Sequence, residues 1–331
     1  MLVALAAPPR PAAAQGPLTL QVQPAFDGNY APDGWLPLSI VLRNAGPPAR
    51  VTVAAGLPLA PARNTAVVEV PAGGEAALTL YAAMDRSARE LVVSAAAPGA
   101  PAVEQRVPVR PRQGERMLGL VSAQPLELSL PRREDLAALP FLAFALPPAG
   151  LPDQLAGLAS LSTLVLGTLP AETLRPGQLA ALHAWVRAGG HLVIGGGPDA
   201  AATVAALPAE LQAAAIGPAA ALDPAPLGAF AGEDPPAALP GLTLTTAAGS
   251  QTFGPAELPL WARGAVGAGQ VTQLAFDPGG AELRAWPGAP ALWDRLLQPT
   301  RIYTAVGQDL SADPTQAQIL SGGLANLPPI P

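Results

Sequence analysis

The chain has 331 residues, half of them hydrophobic, with 42 prolines, 34 glycines, 4% aromatics and a net charge of -6. That length suggests two or three domains, and the acidic balance argues against a nucleic-acid partner, which would need a basic face. There is no cysteine and all 18 basic residues are arginine, which excludes disulfides, thiolate metal sites, a cysteine nucleophile, Schiff-base lysine chemistry and a phosphate-loop lysine.

The chain opens on a short apolar run, Leu2–Ala7, followed by Ala12-Ala13-Ala14-Gln15, a small-residue pattern of the kind a signal peptidase cleaves. Residues 1–16 therefore read as the remnant of a signal peptide or, in the plainer alternative, as an Ala/Pro-rich tail. Nowhere in the sequence is there an unbroken apolar run long enough to span a bilayer.

Residues 17–111 are strand country. The candidate strands are Leu18–Gln23, Leu36–Arg43, Arg50–Ala55, Thr65–Val70, Ala76–Tyr81, Glu90–Ala95 and Ala102–Val109. In the second, Leu36, Leu38, Ile40 and Leu42 fall on one face. Turn signals separate the runs at Asp33-Gly34, Asn44-Ala45-Gly46, Gly73-Gly74 and Pro98-Gly99. Short strands at this spacing, with no helical period between them, predict an all-β sandwich with Trp35 in its core. The stretch Arg106–Arg116, with arginines also at 110 and 112 and prolines at 108 and 111, reads as a solvated linker; contact with anionic lipid is the sharper alternative.

From residue 112 to 300 the pattern becomes α/β. Met117–Ser122 reads as a strand, Arg133–Leu139 as a helical turn and Phe141–Leu146 as a buried strand. Leu161–Leu166 is apolar on both faces, as a central parallel strand should be. Pro176 suits the first turn of a helix, Leu179, Leu182 and Val186 form its apolar stripe with Trp185 on the flank, and Gly189 supplies a left-handed stop. His191–Ile194 is the next strand, and Asp199–Leu211 reads as helix. Ala219–Pro259 reads as irregular apart from a strand at Leu242–Thr246. Leu260–Val266 and Gln270–Phe276 form a hairpin, Leu292–Leu297 a last helix anchored by Trp286 and Trp293, and residues 301–331 a proline-rich tail.

Candidate chemistry is sparse. Gly195, Gly196 and Gly197 follow a strand and precede a helix, the placing of an anion-binding turn, and Asp199 and Asp277 fall at the same end of the predicted sheet. A tight connection explains the glycines equally well; it predicts a positive φ at one of them. The carboxylates read either as a cation or base cluster, to which Glu282 could add, or as caps on loop amides. His183 and His191 are the only histidines; the turn between them points them apart, so no metal site is expected. No cofactor is expected, and Gly249-Ser250 lacks the serine-hydrolase elbow.

Residues LSTLVLG, AWVRAGGHLVIGGG and GAVGAGQVTQLAFDP, with Trp286, Trp293 and the Leu296-Leu297 pair, resemble the flavodoxin-like, three-layer domain of class I glutamine amidotransferases, in the branch found in bacterial membrane-anchored proteins. NYAPDGWLPLSIVLRNAG and VEVPAGGEAALTLY resemble the Ig-like domains that precede such modules. Active members of the family carry a cysteine after the strand and a His-x-Glu pair; here Gly195-Gly196-Gly197 stands in the first place and the second motif is missing. The resemblance thus implies a catalytically degenerate domain. The expected function is a non-catalytic, extracytoplasmic interaction or scaffold protein of the envelope, with other envelope proteins as partners and a membrane anchor beyond residue 331. The alternatives are a hydrolase with relocated carboxylate chemistry, acting on a carbohydrate or cell-wall amide, and a small-anion binding module at the glycine turn.

Overall fold

The computed structural model describes residues 17–58, 60, 63–132, 140–170 and 173–297. The leader-like stretch 1–16, the helical turn expected at 133–139 and the tail at 301–331 lie outside the described residues. The chain forms two compact units, Met1–Arg112 and Gln113–Pro331. The described part is rich in β-strand, spread over several sheets, with few helices.

The first unit contains β1 (Leu18–Pro24), β2 (Asn29–Tyr30), β3 (Trp35–Asn44), β4 (Ala49–Gly56), β5 (Asn64–Val70), β6 (Glu75–Ala83), β7 (Glu90–Ala96), β8 (Val103–Pro108) and β9 (Arg110–Pro111). The seven longer strands coincide with the seven alternating runs of the sequence. They form two antiparallel sheets, β1-β3-β6 and β5-β4-β7-β8, while β2 and β9 make a short parallel pair. Side chains alternate across a strand, so Leu36, Leu38, Ile40 and Leu42 all turn inward, as do Val51 and Val53 of β4 and Leu91, Val93 and Ala95 of β7. Trp35 is out of phase with Leu36 and is only half-buried, not core; the fully buried aromatic is Tyr30, whose hydroxyl donates to Ala88 O at 2.9 Å.

Two features close this unit. Val22 of β1 turns its backbone toward β8, where Gln105 Oε1 accepts from its N–H at 2.9 Å and Gln105 Nε2 donates to its carbonyl at 3.3 Å. One side-chain amide thus supplies both hydrogen bonds that another strand would give. Between β1 and β2, Phe26, Asp27 and Gly28 all take positive φ (53, 51 and 76°), and the buried Asn29 side chain donates to Phe26 O at 2.6 Å. The Arg106–Arg116 stretch is not a solvated linker: most of it lies in β8, β9 and the next strand, and Arg112 Nε donates to Asn29 Oδ1 at 2.6 Å. Arg116 is buried, stacked over Phe141 at 3.8 Å and ion-paired to Asp294 at 2.5 Å. A lipid contact through Arg112 or Arg116 would have to break those bonds.

The second unit runs β10 (Arg116–Val121), β11 (Phe141–Leu146), α1 (Leu155–Leu158), β12 (Thr163–Leu166), α2 (Pro176–Arg187), β13 (His191–Ile194), α3 (Ala200–Ala205), β14 (Ala214–Ala221), α4 (Ala225–Ala231), β15 (Pro240–Thr246), β16 (Gln251–Phe253), β17 (Trp261–Val266), β18 (Gly269–Leu274), α5 (Ala281–Ala285) and α6 (Ala289–Leu296). Seven strands form one sheet in the order β11-β10-β12-β13-β18-β17-β16. The first five are parallel, and β17 and β16 extend the sheet by antiparallel pairing. β14 and β15 form a separate ribbon with a bulge between Ile216 and Ala219.

Several elements differ from the sequence reading. β11 is an edge strand with Ala143 and Ala145 exposed, so it is buried on one face only. The helix expected over Asp199–Leu211 stops at Ala205, because Pro208 cannot continue it. α4, β16 and the end of β14 fall in the region read as irregular, the start of β14 lies in residues given no element, and α6 begins at Ala289 rather than Leu292. In α2 the buried face is Gln178, Ala181, Leu182, Trp185 and Val186; Leu179 lies at its edge and Trp185 at its centre. Gln178 can be buried because its side chain accepts from Arg175 N and donates to the carbonyls of Pro148 and Leu151. Gly189 ends the helix with a φ of 120°. Among the described residues no helix is long and apolar enough to cross a membrane.

Candidate functional site

In an open parallel sheet the natural ligand crevice lies outside the carboxyl ends of the strands, where the strand order reverses. Here that reversal falls between β10 and β12. The chain beyond β12 is Gly167-Thr168, beyond β13 Gly195-Gly196-Gly197, and beyond β18 Ala275-Phe276-Asp277.

These ends are tied to one another by backbone. Gly167 N donates to Val121 O at 2.9 Å, Gly195 N to Leu166 O at 2.8 Å, Gly196 N to Phe276 O at 2.9 Å and Ala200 N to Gly197 O at 3.0 Å. The ladder of the sheet therefore continues past the strands and occupies the amides of Gly167, Gly195 and Gly196. Thr203, fully buried on α3, locks the neighbouring loop: its hydroxyl accepts from Leu169 N at 3.0 Å and lies 3.3 Å from Leu169 O and Asp199 O.

None of Gly195, Gly196 and Gly197 has a positive φ, contrary to the expectation for a tight turn. What excludes a side chain is close approach. A Cβ on Gly196 would lie 2.5 Å from Leu274 O and 2.6 Å from Phe276 N, and one on Gly195 would lie 2.7 Å from Pro278 Cδ. At the reversal itself, a Cβ on Gly167 would meet Ser122 Oγ at 2.9 Å and Leu126 Cδ2 at 3.2 Å. The remaining cavity, bounded by Gly167, Thr168, Gly195, Gly197, Asp277 and Pro278, is about 10 Å³. That is room for about one water.

The structure thus brings Gly195, Gly197 and Asp277 together, hides Gly196 behind β18, and leaves Asp199 exposed outside the cavity. Asp199 makes no side-chain cap on α3. Asp277 is half-buried, and its Oδ1 accepts from Gly279 N at 2.9 Å, the hydrogen bond of a loop cap. Glu282 is exposed. Among the described residues no group of three or more His, Asp or Glu side chains is placed to hold a metal ion.

Sequence reasoning missed a polar row inside the sheet. Thr163, His191 and Thr272 are buried on adjacent strands β12, β13 and β18. His191 Nε2 and Thr272 Oγ1 share a hydrogen bond of 2.9 Å, and Arg263 Nε of β17 donates to the same hydroxyl at 3.0 Å. Arg263 also donates to Leu296 O near the end of α6, at 3.4 Å. His191 Nδ1 and Thr163 Oγ1 have no hydrogen-bond partner. Burial first, and the neighbouring Arg263 guanidinium second, push the His191 pKa down to about 3, while burial lowers that of Arg263. The imidazole is therefore neutral, and being enclosed it cannot meet a substrate. His183 is only half-buried on α2. The one signal available in the sequence was a histidine opening an otherwise apolar strand.

Residues 17–110 match the family "Domain of unknown function (DUF8726)". No curated protein matches the chain. Among solved structures, a β-glucosidase from Erythrobacter marinus aligns at 15% identity over 29% of this chain and 16% of its own, with a TM-score of 0.21. The sporulation control protein Spo0M of Bacillus subtilis aligns at 10% identity over 30% and 51%, with a TM-score of 0.22. The alkylpurine DNA glycosylase AlkC of Pseudomonas fluorescens aligns at 14% over 30% and 32%, with a TM-score of 0.21. The aligned part is about half or less of each of these proteins, and likenesses this slight carry no inference of fold or activity.

Proposed function

We propose that the protein is a non-catalytic interaction or scaffold protein of the bacterial envelope, built from an Ig-like sandwich followed by a glutamine amidotransferase-like domain that has lost its chemistry. The pairing of β1-β3-β6 against β5-β4-β7-β8 supports the first assignment. The parallel order β11-β10-β12-β13-β18, which in sequence terms is second, first, third, fourth and last, supports the second. Extracytoplasmic placement rests on the signal-like composition of residues 1–16.

The observation that carries the functional reading is the closed crevice. An amidotransferase-like fold would work at the carboxyl ends of its strands, and here those ends are filled by Pro278, Leu126 and the backbone of Phe276. The only carboxylate at the cavity, Asp277, is engaged by a loop amide among the described residues. The test is a turnover screen of the full chain against amide, ester and glycoside substrates, run beside Asp277→Asn. The expected result is no turnover by either protein. Hydrolysis by the parent that disappears in Asp277→Asn would establish the enzyme reading instead.

A further inference from the structure

A different part of the second unit has room for a ligand. A cleft of about 560 Å³ opens between the extended segment before residue 132 and the link from α5 to α6, lined by Leu130, Trp286, Pro287 and Pro290 together with Arg132 and Arg284. Its size is that of small-molecule sites. We infer that this cleft binds a small oxyanion, a carboxylate or phosphate, carried on an apolar or aromatic body.

Three observations lead there. The charge in the cleft is of one sign: two guanidiniums line it, and no carboxylate does among the described residues, in a chain whose net charge is -6. Guanidinium forks match the planar oxygens of carboxylates and phosphates. The walls are stiff, with Leu130, Pro287 and Pro290 giving apolar patches amid polar surface. Trp286 is buried and anchored by its Nε1 donating to Asp234 O at 2.5 Å, and the two prolines have fixed φ. The two sides are also joined, since Ser129 Oγ donates to Arg284 O at 3.1 Å, so the cleft exists before any ligand arrives. A preformed site loses less entropy on binding.

Glu127 provides the sharpest check. Its carboxylate pairs with Arg284 at 3.4 Å from outside the lining, with both side chains substantially exposed (74% and 45%). An incoming oxyanion competes with Glu127 for that guanidinium. Arg132 is exposed and makes no ion pair among the described residues. The inference does not depend on the closed crevice: binding here is compatible with turnover or its absence elsewhere.

The experiment is calorimetric titration of the full chain with phenyl phosphate, benzoate, inorganic phosphate and benzyl alcohol. Expected is binding of one or both aromatic anions about tenfold or more tighter than of either single-feature probe; which aromatic anion binds better separates phosphate from carboxylate recognition. Arg132→Gln combined with Arg284→Gln should weaken it about tenfold or more, with unchanged circular dichroism. Glu127→Gln should tighten it roughly two- to fivefold, the range of a surface ion pair released. A purely structural role for these residues would not produce that gain. Flat titrations with both aromatic anions, or affinity unaltered in the double variant, would overturn the inference, as would weaker binding in Glu127→Gln.

Discussion

The two units of this protein are held by different means. In the first, large side chains fill a space between two sheets: Leu36, Leu38, Ile40 and Leu42 on one side, Val51, Val53, Leu91 and Val93 on the other. In the second, the closure at the strand ends is made against glycines, by backbone at Gly196 and by Leu126 and Pro278 at Gly167 and Gly195. Side-chain filling leaves a periodic record in sequence, because every second residue must be apolar. Contact against glycine leaves only small residues, which in a chain with 34 glycines and 42 prolines cannot be told from turns.

Acid should separate the units most strongly. Both histidines lie in the second unit, and His191 titrates near pH 3 in the folded state against an ordinary value of 6.5. Below pH 6.5 the unfolded chain takes up a proton that the folded one refuses. The stability is therefore fully present above that pH and is lost as the pH falls toward 3, at about 1.4 kcal/mol per unit. Denaturant unfolding followed by tryptophan fluorescence at pH 7 and pH 4 should show a loss of about 3 kcal/mol assigned to this site. His191→Gln, which retains a polar group beside Thr272, should remove that slope; an unchanged slope would refute the assignment.

Two glycine substitutions then compare the modes of closure directly. Gly196→Ala forces a methyl group onto the backbone of β18 and should cost about 3 kcal/mol in the second unit. Gly73→Ala in the first unit meets nothing within 4 Å and has only its φ of 62° to accommodate, so its cost should be about 1 kcal/mol. Equal costs in chemical unfolding would erase the distinction between close approach and backbone conformation.

The smaller effect belongs to Gln105. Replacement by Leu strands the N–H and carbonyl of Val22 at a partly buried edge, and should cost about 1–2 kcal/mol. Gln105→Glu can still accept from the N–H but repels the carbonyl, so it should not rescue. Faster hydrogen exchange at Val22 in both variants is the direct readout, and exchange at the parental rate would show the side chain to be dispensable.

The contrast also explains what could be read in advance. All seven long strands of the first unit were legible, and so were β12, α2, β13 and the β17–β18 hairpin, because each carries a period or a firm stop such as Gly189. β14 was not: AAIGPAAA holds a proline and a glycine, and Gly217 sits against Thr243 where a larger residue would not fit. α4, APLGAFA, has a proline at its second position and contains Gly228, which the nearby chain at Glu233 and Pro235 requires. At the candidate site the sequence placed Gly195, Gly197 and Asp277 at one edge. It could not disclose that the edge is shut, because closure comes from Leu126, Phe276 and Pro278, ordinary in type and far in the chain from the glycines they meet.

The ion pair between Arg116 and Asp294 bears on how the protein is made. It joins the first strand of the second sheet to its last helix, across 178 positions of chain. β13, likewise, pairs early with β12 but gains its second parallel neighbour only when β18 has been synthesised. The first unit has all its strands once Pro111 has emerged from the ribosome, whereas the sheet of the second stays open on the β13 side until almost the whole domain is out. Long-range parallel pairing is slow and leaves apolar edges unprotected meanwhile. During synthesis the vulnerable species is therefore a finished first unit trailing an unfinished sheet, and that interval is where a chaperone would have most to do.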